Sequence, residues 1–278
     1  MRFRPFALAV RRDRMRRAKR SEVSVFLASN LLELVQRVGG PKVAFRIELW
    51  RLEHWRTFEP EYFLLDHFVD PSRAAIDVGA NEGYYAGRLA QLCRQVHCFE
   101  PIAWLAEQLR AKLPAHVVVH QAAVSDTDGT AKLRMPFRGG EHLHGTTTIA
   151  PDNPLEEATR VDEVDCPTVR LDSVVHEPVG FIKIDVEGHE MAVLRGAEAL
   201  IRRDRPVLLV ESEKRHAADA PENVFEFMAA LGYGGMFLLD GLPRSLGGYR
   251  QDVHQRRENL QGVRKVGTYV NNFLFLPG

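Results

Sequence analysis

From residue 74 onward the chain alternates short apolar runs with amphipathic segments of helix length, and few architectures accommodate that rhythm. The apolar runs fall at 74–78, 96–99, 117–120, 181–184, 207–210 and 236–239, with helical spacing at 84–94 and 103–113 between the first three. Strands linked through helices cannot close as hairpins, so they pair in parallel and are buried on both faces. An α/β domain with a mostly parallel sheet is expected. The final run, 269–276, follows a polar stretch instead of a helix and is expected to return antiparallel.

Two stretches depart from the rhythm. Residues 22–57 read as helical, interrupted at Gly39-Gly40-Pro41. Residues 125–170 are rich in Gly, Thr, Pro and Asp, with short alternating pieces at 131–135, 146–149 and 166–170 and no convincing helix. An insertion of that length just beyond a strand's carboxyl end is expected to carry function. The organisation reads as a basic arm over 1–20, a helical cap over 21–70 and a body over 71–278 that contains the insertion.

Charge separates the arm from the rest. Basic and acidic residues balance at 37 each over the 278 residues, but residues 1–20 hold nine bases and one acid. That leaves 28 bases and 36 acids for residues 21–278. An acidic body repels phosphates, so nucleic acid is not an expected partner. The arm reads as a solvated terminus or a weak membrane-surface contact through Phe3, Phe6, Leu8 and Val10. It lacks the uninterrupted apolar core of a secretory signal, and no run of about 20 apolar residues predicts a membrane span. Cys93, Cys98 and Cys166 form no CxxC pair and suit reduced, buried thiols in a cytoplasmic protein. The cap could supply a homodimer surface.

Chemistry concentrates at the ends of the apolar runs. In Ala75-Ile76-Asp77-Val78-Gly79-Ala80-Asn81-Glu82-Gly83-Tyr84-Tyr85 a strand delivers Asp77 to a turn carrying two glycines, which opens a helix. Such a turn brings backbone close to a ligand, and free amides at the helix start favour an anion. A carboxylate fits better than a pyrophosphate, because the dinucleotide fingerprint needs a third glycine. The next run ends at Glu100-Pro101, where an acid can accept hydrogen bonds from both hydroxyls of a ribose. Phe181-Ile182-Lys183-Ile184 then delivers Asp185, Glu187, His189 and Glu190 to one strand tip, and 207–210 ends in Glu211.

Together these segments resemble the FkbM-type methyltransferases, a family of S-adenosylmethionine-dependent O-methyltransferases. The matching stretches are DVGANEGYY (77–85), FEP (99–101), QAAVSDTDG (121–129), LDSVV (171–175), IKIDVEGHE (182–190), VLRGA (193–197) and NNFLFLP (271–277). Gln121, where the family often has Asn, and Glu82, where an apolar residue is usual, depart from the pattern. The resemblance implies a Rossmann-like class I fold, with a mostly parallel seven-stranded sheet, helices on both faces and an N-terminal helical extension. It also implies S-adenosyl-L-methionine as cofactor. Asp77, Gly79, Ala80, Asn81, Gly83 and Tyr84 would surround its methionine part, with Asp185 facing them. Glu100 and Pro101 would hold the ribose, and Gln121, Ala122 and Ala123 would flank the adenine.

The expected reaction is methylation of a hydroxyl on a sugar, glycolipid or natural product. Asp185 is expected to position the reactants. The general base is His189, Glu187 or Glu211, and His142 and His144 of the insertion could reach over the substrate. No metal is implied by the resemblance, although Asp185, Glu187 and Glu211 could hold a divalent cation in a catechol-type reaction. A nucleotide-dependent oxidoreductase and a non-catalytic nucleoside-binding module are the other readings.

Overall fold

The computed structural model describes residues 22–261 and 264–278. The basic arm, and the membrane contact considered for it, lie outside the described residues. Five parallel strands form one side of the main sheet: β1 (Ala74–Val78), β2 (Val96–Phe99), β3 (Val117–His120), β8 (Val179–Ile184) and β9 (Val207–Glu211). Three more, β10 (Tyr233–Leu239), β11 (Leu242–Ser245) and β12 (Asn272–Pro277), pair antiparallel and complete the order β11-β10-β12-β9-β8-β1-β2-β3. Every residue of β1, β2 and β8 is buried, the ionisable Asp77, His97 and Lys183 included, as both faces of the sheet are covered. One face packs on α1 (Glu22–Trp55), α2 (Tyr84–Leu92) and α3 (Ala103–Lys112) through Phe45, Leu49, Leu89 and Leu109. The other packs on α4 (Glu190–Gly196), α5 (Glu198–Asp204) and α6 (Glu222–Ala230) through Val193, Leu194, Ile201 and Met228.

This is the Rossmann-like class I architecture, with an eighth strand beyond the seven expected. That strand, β11, exists because Asp240 and Gly241 both adopt positive φ (52° and 74°), and so reverse the chain in two residues between paired Leu239 and Leu242. The last strand returns antiparallel as the missing helix suggested. The cap helix is kinked where Gly40 leaves helical geometry ahead of Pro41. Among the described residues, no helix is long and apolar enough to cross a membrane, and the three cysteines are buried and unpaired.

The insertion is a second sheet. Strands β5 (Gly129–Arg138) and β7 (Arg160–Val169) pair antiparallel over their whole length, flanked by β4 (Ala123–Val124) and β6 (Glu141–His142) in the order β4-β7-β5-β6. The chain adds β2 and β3 on one side of β1 and β8 and β9 on the other. A crevice therefore opens at the carboxyl ends of β1 and β8, where successive connections diverge.

Candidate active site

At the β1 tip, Gly79 has a φ of 78°, and a Cβ added there would sit 1.8 Å from the Asp185 carbonyl oxygen. Only glycine lets the turn lie this close to the end of β8. The Gly79 and Ala80 amides both donate to the Phe99 carbonyl at 3.0 Å, which ties the turn to β2. Glu100, at the end of β2, is buried, and its two oxygens are held separately. Oε2 accepts the Asn81 amide and Oε1 the Ile102 amide, each at 2.8 Å. Burial pushes its carboxyl up to about 7, against the pull of those two amides.

A cleft runs from this carboxylate to the tip of β8. Of the expected residues, Gly79, Asn81, Glu100 and Pro101 line one part, and Ala122 and Ala123 another. Asp185, Glu187 and His189 line the far end. The insertion closes it: Leu133 and Ile149 pack towards Ile102 and Ala123 as an apolar slot. From the same segment, the His144 Nδ1 lies 2.8 Å from the Asn81 Oδ1, and the Thr148 hydroxyl donates to the Val186 carbonyl at 3.3 Å. Leu133, Thr148 and Ile149 fall in the alternating pieces 131–135 and 146–149, but the sequence did not place them at the strand tips, because their approach depends on how the second sheet docks.

Seven expected residues do not line the cleft, His142 among them, its Nε2 lying 3.0 Å from the Thr147 hydroxyl. Asp77 is buried behind the turn, where burial raises its carboxyl to about 7 and its Oδ2 has no partner. Ala80 is buried in the core of the α1–α3 face, and Gly83 packs against Leu109. The Tyr84 hydroxyl donates to Glu48 at 2.8 Å, within the packing of α2 on α1. Gln121 is exposed, and Ala122, Ala123 and Val124 represent that segment in the cleft. Glu211 stands 3.8 Å from the ammonium of Lys183.

The three candidate bases have different surroundings. The His189 Nε2 lies 3.0 Å from the Ser125 hydroxyl, and burial lowers its pKa. Glu187 adopts a φ of 52° and carries its carboxylate to 2.6 Å from the His216 Nε2. Burial raises the Glu187 carboxyl, and the histidine opposes that rise. Asn153 fixes the histidine: its amide donates to the Glu187 carbonyl at 2.7 Å and lies 3.2 Å from the His216 Nδ1. With Nδ1 facing an N–H donor, the neutral ring carries its proton on Nε2, towards Glu187. Neither His216 nor Asn153 belongs to a recognisable motif.

The family of the methyltransferase FkbM domain matches residues 77–234. No curated protein matches the chain in sequence. Among solved structures it is similar to a methyltransferase FkbM from Methylobacillus flagellatus KT, at 14% identity and a TM-score of 0.48, over 84% of this chain and 54% of that one. The chain thus spans about half the length of that relative. It is also similar to an rRNA methylase from Streptococcus thermophilus, at 12% identity and a TM-score of 0.41 over 80% and 98% of the two chains. A Streptococcus mutans protein, provisionally assigned as a methyltransferase and solved in complex with SAH, is similar at 13% identity and a TM-score of 0.42 over 79% and 98%.

Proposed function

The chain belongs to the methyltransferase FkbM domain family, and from that premise we propose that it methylates a hydroxyl oxygen of a sugar, glycolipid or natural product with S-adenosylmethionine. The observation that carries the reading is the Glu100 carboxylate, buried on the cleft wall with each oxygen oriented by one backbone amide. Its remaining lone pairs suit the two hydroxyls of a ribose. The slot of Ile102, Ala123, Leu133 and Ile149 suits a flat, apolar adenine, whereas the amides of Gly79, Ala80 and Asn81 already donate to Phe99 and Glu100 and do not supply the expected carboxylate site. When bound, the cofactor supplies an electrophilic methyl group on a sulfonium. Asp185, held by Lys183 at 3.4 Å, orients the acceptor at the strand tip. Glu187 takes the hydroxyl proton on a carboxylate oxygen, because its raised pKa and its place in the cleft suit a base.

The test is transfer of labelled methyl from S-adenosylmethionine to a panel of sugar and natural-product hydroxyls. Glu187→Gln is expected to lower turnover by roughly 10²–10⁴-fold while affinity for S-adenosylhomocysteine stays within about threefold. Full turnover in that variant, with loss in His189→Ala, would move the proton to His189. Failure of the unmodified protein to bind S-adenosylhomocysteine would end the methyl-transfer reading.

Glu100 also sets a pH dependence. Ribose donors need the ionised carboxylate, whereas the free cleft holds it protonated below about 7. Calorimetric affinity for S-adenosylhomocysteine is therefore expected to be flat above neutrality and to weaken about tenfold per unit below it. Glu100→Gln should remove that slope. The sign for folding is opposite: between the ordinary 4.5 and about 7 the folded chain keeps a proton that the unfolded chain has lost. This group's contribution to stability thus falls as pH rises through that window.

A further inference from the structure

A second cavity, of about 190 Å³, shares no lining residue with the cleft but adjoins it at two places. Glu187 lines the cleft and its partner His216 the cavity. In the turn of the insertion, Gly145 and Thr147 face the cleft, and Thr146 the cavity. The cavity's charged side chains are already paired. Arg215 forms a two-pronged contact with buried Glu213, Arg257 pairs with Glu156, and Glu157 pairs with Arg138. Pro136, Leu155 and Leu260 add apolar surface.

We propose that this cavity seats the acceptor, and that it selects a neutral, polyhydroxylated ring over one bearing a carboxylate or phosphate. The proposal rests on the methyl-transfer reading above. An anion would compete with the carboxylates already paired to both arginines, and it would approach a body with eight more acids than bases over residues 21–278. A cyclic polyol displaces nothing. Its hydroxyls both donate and accept, so they can bridge fixed guanidinium donors and carboxylate acceptors, while its C–H face lies on the apolar wall. The volume is below the ~300–1,000 Å³ of sites that enclose a drug-sized ligand. It therefore takes one ring and leaves the remainder of a larger acceptor outside.

The full chain, saturated with S-adenosylhomocysteine, is titrated with neutral methyl glycosides of glucose, mannose, galactose and rhamnose, and with glucuronate and glucose 6-phosphate. Saturation-transfer NMR and competition report binding. At least one neutral glycoside is expected to bind ten or more times more tightly than either anion. Ala158→Trp, which fills the cavity, should abolish that signal while calorimetric affinity for S-adenosylhomocysteine stays within twofold. Arg257→Ala, at an exposed position, is the second variant should the tryptophan prevent folding, and should weaken the glycoside at least fivefold. No binding of any neutral glycoside, equal or tighter binding of the anions, or an undiminished signal in the variants would overturn the assignment. Failure of S-adenosylhomocysteine itself to bind would instead overturn the reading on which it rests.

Discussion

Glu100→Ala is expected to weaken S-adenosylhomocysteine binding by 100-fold or more, measured by titration calorimetry at pH 8. Hydrogen bonds to a charged group contribute about 1.5–3 kcal/mol each, so two ribose hydroxyls lose about 3–6 kcal/mol. The carboxylate also holds the Asn81 amide at 2.8 Å, and Asn81 sits in the left-handed region at a φ of 48°. Freed from that bond, the turn loses one restraint, and with it the surface that meets His144 of the insertion. Folding should suffer less than binding, because removing a buried acid relieves its desolvation and offsets the two amides left without an acceptor. Unchanged affinity in a folded variant would take Glu100 out of the site.

The parts of this architecture that were legible are those fixed by local chemistry. Strands buried on both faces are mostly apolar, so β1, β2 and β8 announced themselves by run length despite Asp77, His97 and Lys183, and the turn after β1 by its glycines. The second sheet was legible only in fragments, as the alternating pieces 131–135 and 166–170. Strands β5 and β7 are largely exposed and place charges opposite one another, Lys132 against Asp165 and Arg134 against Glu163. Such cross-strand pairs stabilise a hairpin but read in one dimension as a polar loop. The Asp240-Gly241 reversal did carry a local hairpin signal, obscured because Gly234 and Gly235 dilute the strand before it. The cleft divides along the same line. Its strand-tip wall could be read from motifs, whereas Leu133, Thr148 and Ile149 arrive from segments whose proximity only the docked sheets create. Gln121 shows the cost of extending a motif by one residue: its side chain is exposed while Ala122 and Ala123 line the cleft.

Lys183→Met should lower folding stability by about 3–5 kcal/mol, as removing one partner of a buried ion pair does. The ammonium is buried, 3.4 Å from the Asp185 carboxylate and 3.8 Å from that of Glu211, and it lies 5.2 Å from the Tyr85 ring centroid. Burial lowers a lysine's pKa, but the surrounding carboxylates outweigh it and raise the value, so the side chain is a cation at neutral pH. Methionine keeps the apolar stem and leaves the carboxylates facing each other without a counter-charge. Asp185 is one-third exposed and can hydrate, while Glu211 cannot do so as readily, which puts the loss at the lower end of the range. For a chain of this size that corresponds to a fall in Tm of roughly 6–12 °C. The charge origin has its own signature. Burial already pushes the Glu211 carboxyl well up, with Asp185 adding to the rise and Lys183 opposing it, so protonation neutralises the repulsion first at that group. The Tm difference between variant and parent should therefore shrink between pH 8 and pH 5. A difference of equal size at both would show that the lysine acts by filling space, and that the strand tip carrying Asp185 does not depend on its charge.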